Sequence, residues 1–211
     1  MPNAFRQQSP LSQHISFLKD FFRAYKPFTH QQIDTLELML ERLYRKWGIS
    51  DKADFSALEP EDWPIAEDLY AVLEDAYEHY DQEDSPLYPR ELLRELLLGL
   101  HSMCQGAEAQ FFNGHTNVTS SRFIVFGVKG LLQASKNVRG AMLFNILSYM
   151  SNELLTNGHT VASIDELYLF LTNLVAVEYI RNFMKRVRKK NSSVILASQN
   201  LEDFNLSLIH I

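Results

Sequence analysis

Two short apolar runs in this chain end in residues that can do chemistry. Residues 160–164 (TVASI) are followed by Asp165-Glu166, and residues 193–197 (SVILA) by Ser198-Gln199. Apolar runs of this length read as buried strands. In a parallel sheet the carboxyl ends of the strands open onto the crevice where ligands bind. Adjacent acids at such an end suit phosphoryl transfer: Asp165 would hold a magnesium ion through one of its waters, and Glu166 would orient and deprotonate the attacking water. Gln199 carries a neutral amide, which can donate to a γ-phosphate or accept from that water. The plainer readings stand beside these. A helix N-terminus also favours acids, and Gln199 also suits a cap or a loop.

A basic tract, Lys185-Arg186-Val187-Arg188-Lys189-Lys190, lies between the two runs. It has three readings. Arg188 can reach the nucleotide of a neighbouring subunit as an arginine finger, the tract can contact a nucleic-acid backbone, or it is a helix C-terminus whose cations oppose the dipole. Other chemistries are excluded by what the residues lack. The chain has no G-x-x-x-x-G-K-[ST] phosphate loop, and Gly127-Val128-Lys129-Gly130 has the wrong spacing for one. The seven histidines form no H-x-x-x-H pair and have no cysteine cluster beside them, which argues against zinc.

The elements that must position these residues follow from periodicity. Leu11, Ile15, Leu18 and Phe22 recur at helical spacing, as do Ile33, Leu36, Leu40, Leu43 and Trp47 after a capping-box pattern at Thr29 and Gln32. Gly48 stops that helix. Further helices are expected after Pro64 and from about Pro89 to Cys104, separated by an acidic break at 81–86. Beyond Gln110 the pattern changes. Asn113-Gly114 has the form of a hairpin turn, and residues 122–127 (RFIVFG) read as a buried strand. An apolar helix is expected from about Asn137 to Thr156, then the strand to Ile164, a helix to about Arg188 and the strand to Ala197. The expected architecture is therefore an all-α segment followed by three parallel-strand units of an open α/β sheet.

At 211 residues the chain can bury roughly 70% of its unfolded surface. No apolar run approaches the length of a membrane span, and the N-terminus has no secretory pattern. The single cysteine, Cys104, excludes an internal disulfide and reads as a buried small hydrophobe. Charge is uneven: residues 1–119 hold 10 Lys/Arg against 20 Asp/Glu, net −10, and residues 120–211 hold 10 against 6, net +4. The basic half suits phosphate, from nucleotide or nucleic acid.

The blocks LSQHISFLKDFFRAY, FFNGHTNV, SRFIVFGVKGL, TVASIDELYLFL and KRVRKKNSSVILASQNLEDF together resemble the conjugal-transfer ATPases of type IV secretion systems, the TraC/TrbE-type family related to the HerA and FtsK pumps. The resemblance covers nearly the whole chain. It implies a partial RecA-like parallel sheet, the core of a P-loop NTPase, preceded by an all-α segment, with residues 1–110 as a helical insertion and 111–205 as the second half of the ATPase core. It implies that Asp165 and Glu166 match the second nucleotide motif, that Gln199 matches a sensor-like Gln, and that Arg188 is a candidate for a role in trans. ATP and Mg2+ as cofactors, a homo-hexamer, other secretion components as partners, DNA contact, and a cytoplasmic site at the face of a bacterial membrane are implied with it. The family's phosphate loop would lie upstream of Met1, so the chain is expected to be a fragment, inactive by itself; the rival expectation is a non-catalytic interaction module, or a nucleic-acid-binding domain, that keeps the motor fold without ATP turnover. Residues 206–211 fit the family poorly and are expected to be a non-native tail.

Overall fold

A computed structural model describes residues 9–55, 57–118, 121–171 and 174–199, the side chains of Leu174 and Val175 excepted. The expected tail at 206–211 lies outside the described residues. The chain divides into two compact units, Met1–Ile124 and Val125–Ile211.

Helices build the first unit. Helix α1 (Pro10–Tyr25) starts at Ser9, whose hydroxyl accepts the Ser12 N–H, with Pro10 in the first turn where its missing donor costs nothing. Helix α2 (His30–Lys46) carries the capping box read from the sequence. Thr29 Oγ1 accepts the Gln32 N–H at 3.2 Å, and Gln32 Oε1 accepts the Thr29 N–H at 2.8 Å. Gly48, at φ +73°, follows the end of α2, a left-handed position that glycine takes without strain. Helices α3 (Ala66–Glu78), α4 (Arg90–Cys104) and α5 (Ala109–Phe112) complete the unit. Ile33, Leu36, Leu73, Leu93, Leu96 and Leu100 are fully buried between them. The acidic break is fastened rather than loose. Arg42 pairs with both oxygens of Glu83, which lowers the Glu83 pKa, and its guanidinium stands 5.5 Å from the Tyr88 ring centroid. Cys104 is buried as expected, and burial pushes its thiol up to about 12, so it is inert.

In the second unit, α6 (Lys136–Asn152) begins at Ser135, whose hydroxyl accepts the Val138 N–H, and runs on into a π-helical turn, Glu153–Asn157. Strand β1 (Val161–Ile164) follows, then α7 (Tyr168–Leu171), α8 (Leu174–Arg186) with a 3-10 turn at Val187–Lys190, and β2 (Ser193–Leu196). The strands pair in parallel with Val161 opposite Ser193 and Ile164 opposite Leu196. Ala162 and Ile164 face a core built with Leu143 and Leu147 of α6 and Ile180 and Phe183 of α8.

The structure corrects three expectations. Residues 122–127 form no strand: Phe123 is 83% exposed and Val125 74%, and only the alternate residues Ile124 and Phe126 are half-buried. No described strand runs beside this segment; the Phe123 backbone instead exchanges bonds with the Ser121 hydroxyl, and Phe126 meets the Tyr149 ring at 5.6 Å. Asn113-Gly114 makes no hairpin, because the Asn113 amide donates to the Cys104 carbonyl and Asn113 closes α5 instead of joining two strands. The strands β1 and β2 are also buried on one face only, with Val161 68% and Ile195 57% exposed on the other. The described chain is thus mostly helical with a two-stranded parallel sheet in place of the three-strand unit expected.

Candidate functional site

The ladder between the strands runs past their ends and builds the site. The Ala197 N–H donates to the Ile164 carbonyl at 2.9 Å, and the Ala197 carbonyl accepts the Leu167 N–H at 3.0 Å. One residue of the β2 extension therefore grips the chain on both sides of Asp165-Glu166, which must turn sharply between the two bonds. Glu166 takes φ +55°, in the left-handed region that costs a non-glycine residue ~1 kcal/mol or more. The turn is braced from within, since Asp165 Oδ1 accepts the Glu166 N–H at 2.9 Å and the Glu166 carbonyl accepts the Leu169 N–H at 3.0 Å, opening α7.

The same geometry brings Gln199 to the acid pair. Gln199 Nε2 donates to Glu166 Oε1 at 2.9 Å, and Glu166 Oε2 is enclosed with no hydrogen-bond partner among the described residues. Asp165 is exposed. Its Oδ1 accepts the Glu166 N–H, and its other oxygen has no bond among the described residues. No group of three or more His, Cys, Asp or Glu able to hold a metal occurs among the described residues. A magnesium ion held mainly by waters and phosphate oxygens asks for only one or two protein carboxylates, so Asp165 fits that demand.

Arg188 is not part of this group. It lies in the 3-10 turn that precedes β2, at the amino edge of the sheet, separated from Gln199 by at least the length of β2, roughly 13 Å. Lys185, Arg186, Arg188, Lys189 and Lys190 are all exposed, and none has an ion-pair partner among the described residues. Lys185 and Arg186 occupy the last turn of α8, where cations oppose the dipole favourably.

Sequence reasoning missed two contributors. Ala197 works through its backbone, which no side-chain pattern reports. Ser192 is 7% exposed and holds the amino edge, its hydroxyl donating to the Leu154 carbonyl at 2.9 Å and accepting the Thr160 N–H at 3.2 Å. Its signal was a pair of serines directly before an apolar run.

No protein-family profile matches the chain, and no curated protein matches it. Among solved structures, it is similar to that of VirB4 of Thermoanaerobacter pseudethanolicus, with 32% sequence identity and a TM-score of 0.81. The likeness covers 95% of this chain and 53% of the other, so the chain spans about half the length of that protein. It links this chain to the VirB4/TraC-type ATPases of type IV secretion.

Proposed function

We propose that this chain is part of the ATPase domain of a type IV secretion motor and forms the second half of a RecA-like core. Glu166 is the base that takes a proton from the attacking water, Asp165 holds the water shell of magnesium, and Gln199 contacts the γ-phosphate. ATP and Mg2+, when bound, supply the phosphoryl group and neutralise its charge. The observation that supports this reading is the meeting of Asp165, Glu166 and Gln199 at one carboxyl edge, bound by a 2.9 Å contact, in a chain 32% identical to VirB4. In the longer protein we place this domain in a homo-hexamer that works with other secretion components on DNA transfer, peripheral to the cytoplasmic face of a bacterial membrane. No helix among the described residues is long and apolar enough to cross a membrane.

A longer chain carrying a phosphate loop upstream of Met1 tests the assignment. Glu166→Gln should leave ATP binding nearly intact and slow hydrolysis by roughly 10²–10⁴, the usual contribution of a positioned base. Asp165→Asn should weaken the magnesium-dependent part of binding. Parental hydrolysis rates in both variants would remove these residues from the mechanism.

A second reading, contact with a nucleic-acid backbone, is favoured by the five exposed cations at 185–190, which have no ion-pair partner among the described residues. It concerns the opposite edge of the sheet, so it competes with the arginine-finger role of Arg188 and not with the acid pair.

A further inference from the structure

Glu166 carries the proposed chemistry, yet in this structure one of its oxygens is already engaged by Gln199 and the other is enclosed. Oε1 accepts from Gln199 Nε2 at 2.9 Å, and Oε2 has no surface that a water can touch. A general base must come within hydrogen-bond reach of the water it deprotonates, directly or through one other. An enclosed carboxylate oxygen with no donor is unfavourable, and so is left-handed backbone at a glutamate. Such features persist only where surrounding bonds over-determine them. Here the two bonds of Ala197 and the Asp165 brace fix the backbone of the turn, and they stay in place wherever the Glu166 side chain goes. Among the described residues, only the Gln199 amide bonds the carboxylate itself.

We propose that Gln199 is a latch on Glu166. By donating to Oε1 it keeps the side chain in a withdrawn position with Oε2 enclosed, and release of the amide lets the carboxylate swing out to the sheet edge. Gln199 is thus a positioning residue acting through Glu166, in addition to any contact with phosphate. The functional meaning of the latch rests on the reading of Glu166 as the base. The latch itself is a property of this chain and is measurable without nucleotide.

The test is carbodiimide-driven coupling of an amine to the carboxylates of this chain, with the rate at each Glu followed by mass spectrometry. Gln199→Met keeps side-chain length and removes the amide, at an exposed position where the fold does not depend on it. The rate at Glu166 should rise roughly tenfold, the order expected for losing a hydrogen bond to a charged group. Rates at Glu153 and Glu178 should stay unchanged. Gln199→Glu, which replaces the donor with a repelling carboxylate, should give the same rise. A flat rate at Glu166 in both variants overturns the latch, and so does a rise shared equally by Glu153 and Glu178, because the change is then global. Failure of the latch leaves the catalytic reading standing, whereas normal hydrolysis by Glu166→Gln in the longer chain ends the catalytic reading and leaves the latch.

Discussion

Gly158 closes against the backbone of Lys190: a Cβ at Gly158 would stand 2.8 Å from the Lys190 carbonyl oxygen. That oxygen also accepts the His159 N–H at 3.0 Å, so it is held in place. Gly158 has φ +72°, which adds backbone strain to the clash for any other residue. Gly158→Ala should therefore destabilise the second unit by about 2–4 kcal/mol, combining left-handed strain with overpacking. Gly130→Ala, where a Cβ meets nothing within 4 Å, should stay within about 0.5 kcal/mol of the parent. Urea unfolding of both variants checks this, and equal midpoints would mean that the amino edge yields more easily than its geometry indicates.

In the first unit, His14 sits among aromatic rings, 5.0 Å from Trp63, 5.6 Å from Tyr44 and 6.1 Å from Phe17 by ring centroids. Burial lowers its pKa from 6.5 to about 4. The unfolded chain therefore binds a proton between those values that the folded chain refuses. Stability from this site is fully present above pH 6.5, falls as pH drops through the window, and levels off below about pH 4. The whole loss is about 3 kcal/mol. His14→Phe should remove that part of the acid dependence, read as the change in urea midpoint between pH 7.5 and pH 4.5. The same slope in parent and variant would assign the acid sensitivity to other groups.

What the sequence disclosed and what it withheld divide along a physical line. The Thr29–Gln32 box and the apolar spacing of α2 from Ile33 to Leu43 are local, and they appear in the structure as read, whereas Trp47 caps the helix and is 38% exposed. Residues 122–127 have the same strand-like composition as β1, yet only β1 has a partner, because a strand is a property of pairing and burial more than of residue type. The placement of Asp165-Glu166 at the end of β1 was likewise readable, since it depends only on where an apolar run stops. The contact between Glu166 and Gln199 was not. It depends on the register that sets Ile164 opposite Leu196, and spacing along the chain does not fix register. Nor does composition announce a left-handed Glu166. Asn191, at φ +55°, is the residue type that takes that conformation readily.

Arg188 lies at the edge of the sheet opposite the acid pair, and this position decides which experiments can give it a role. It cannot serve the acid pair of its own chain from roughly 13 Å away, so an arginine-finger role requires a neighbouring subunit. In a longer chain carrying a phosphate loop, Arg188→Ala should then lower the hydrolysis rate per subunit and leave ATP affinity nearly unchanged. Mixing it with excess Glu166→Gln subunits should restore part of the activity, because an Arg188→Ala subunit keeps its own base and takes the arginine of its neighbour. A nucleic-acid role predicts a different pattern. Arg188→Ala and Lys189→Ala should weaken DNA binding to a similar degree, and each should flatten the salt dependence by about one phosphate contact. If the mixed subunits stay inactive and the salt slope does not change, both roles fail. The tract is then a solvated helix end whose cations oppose the dipole of α8 and nothing more.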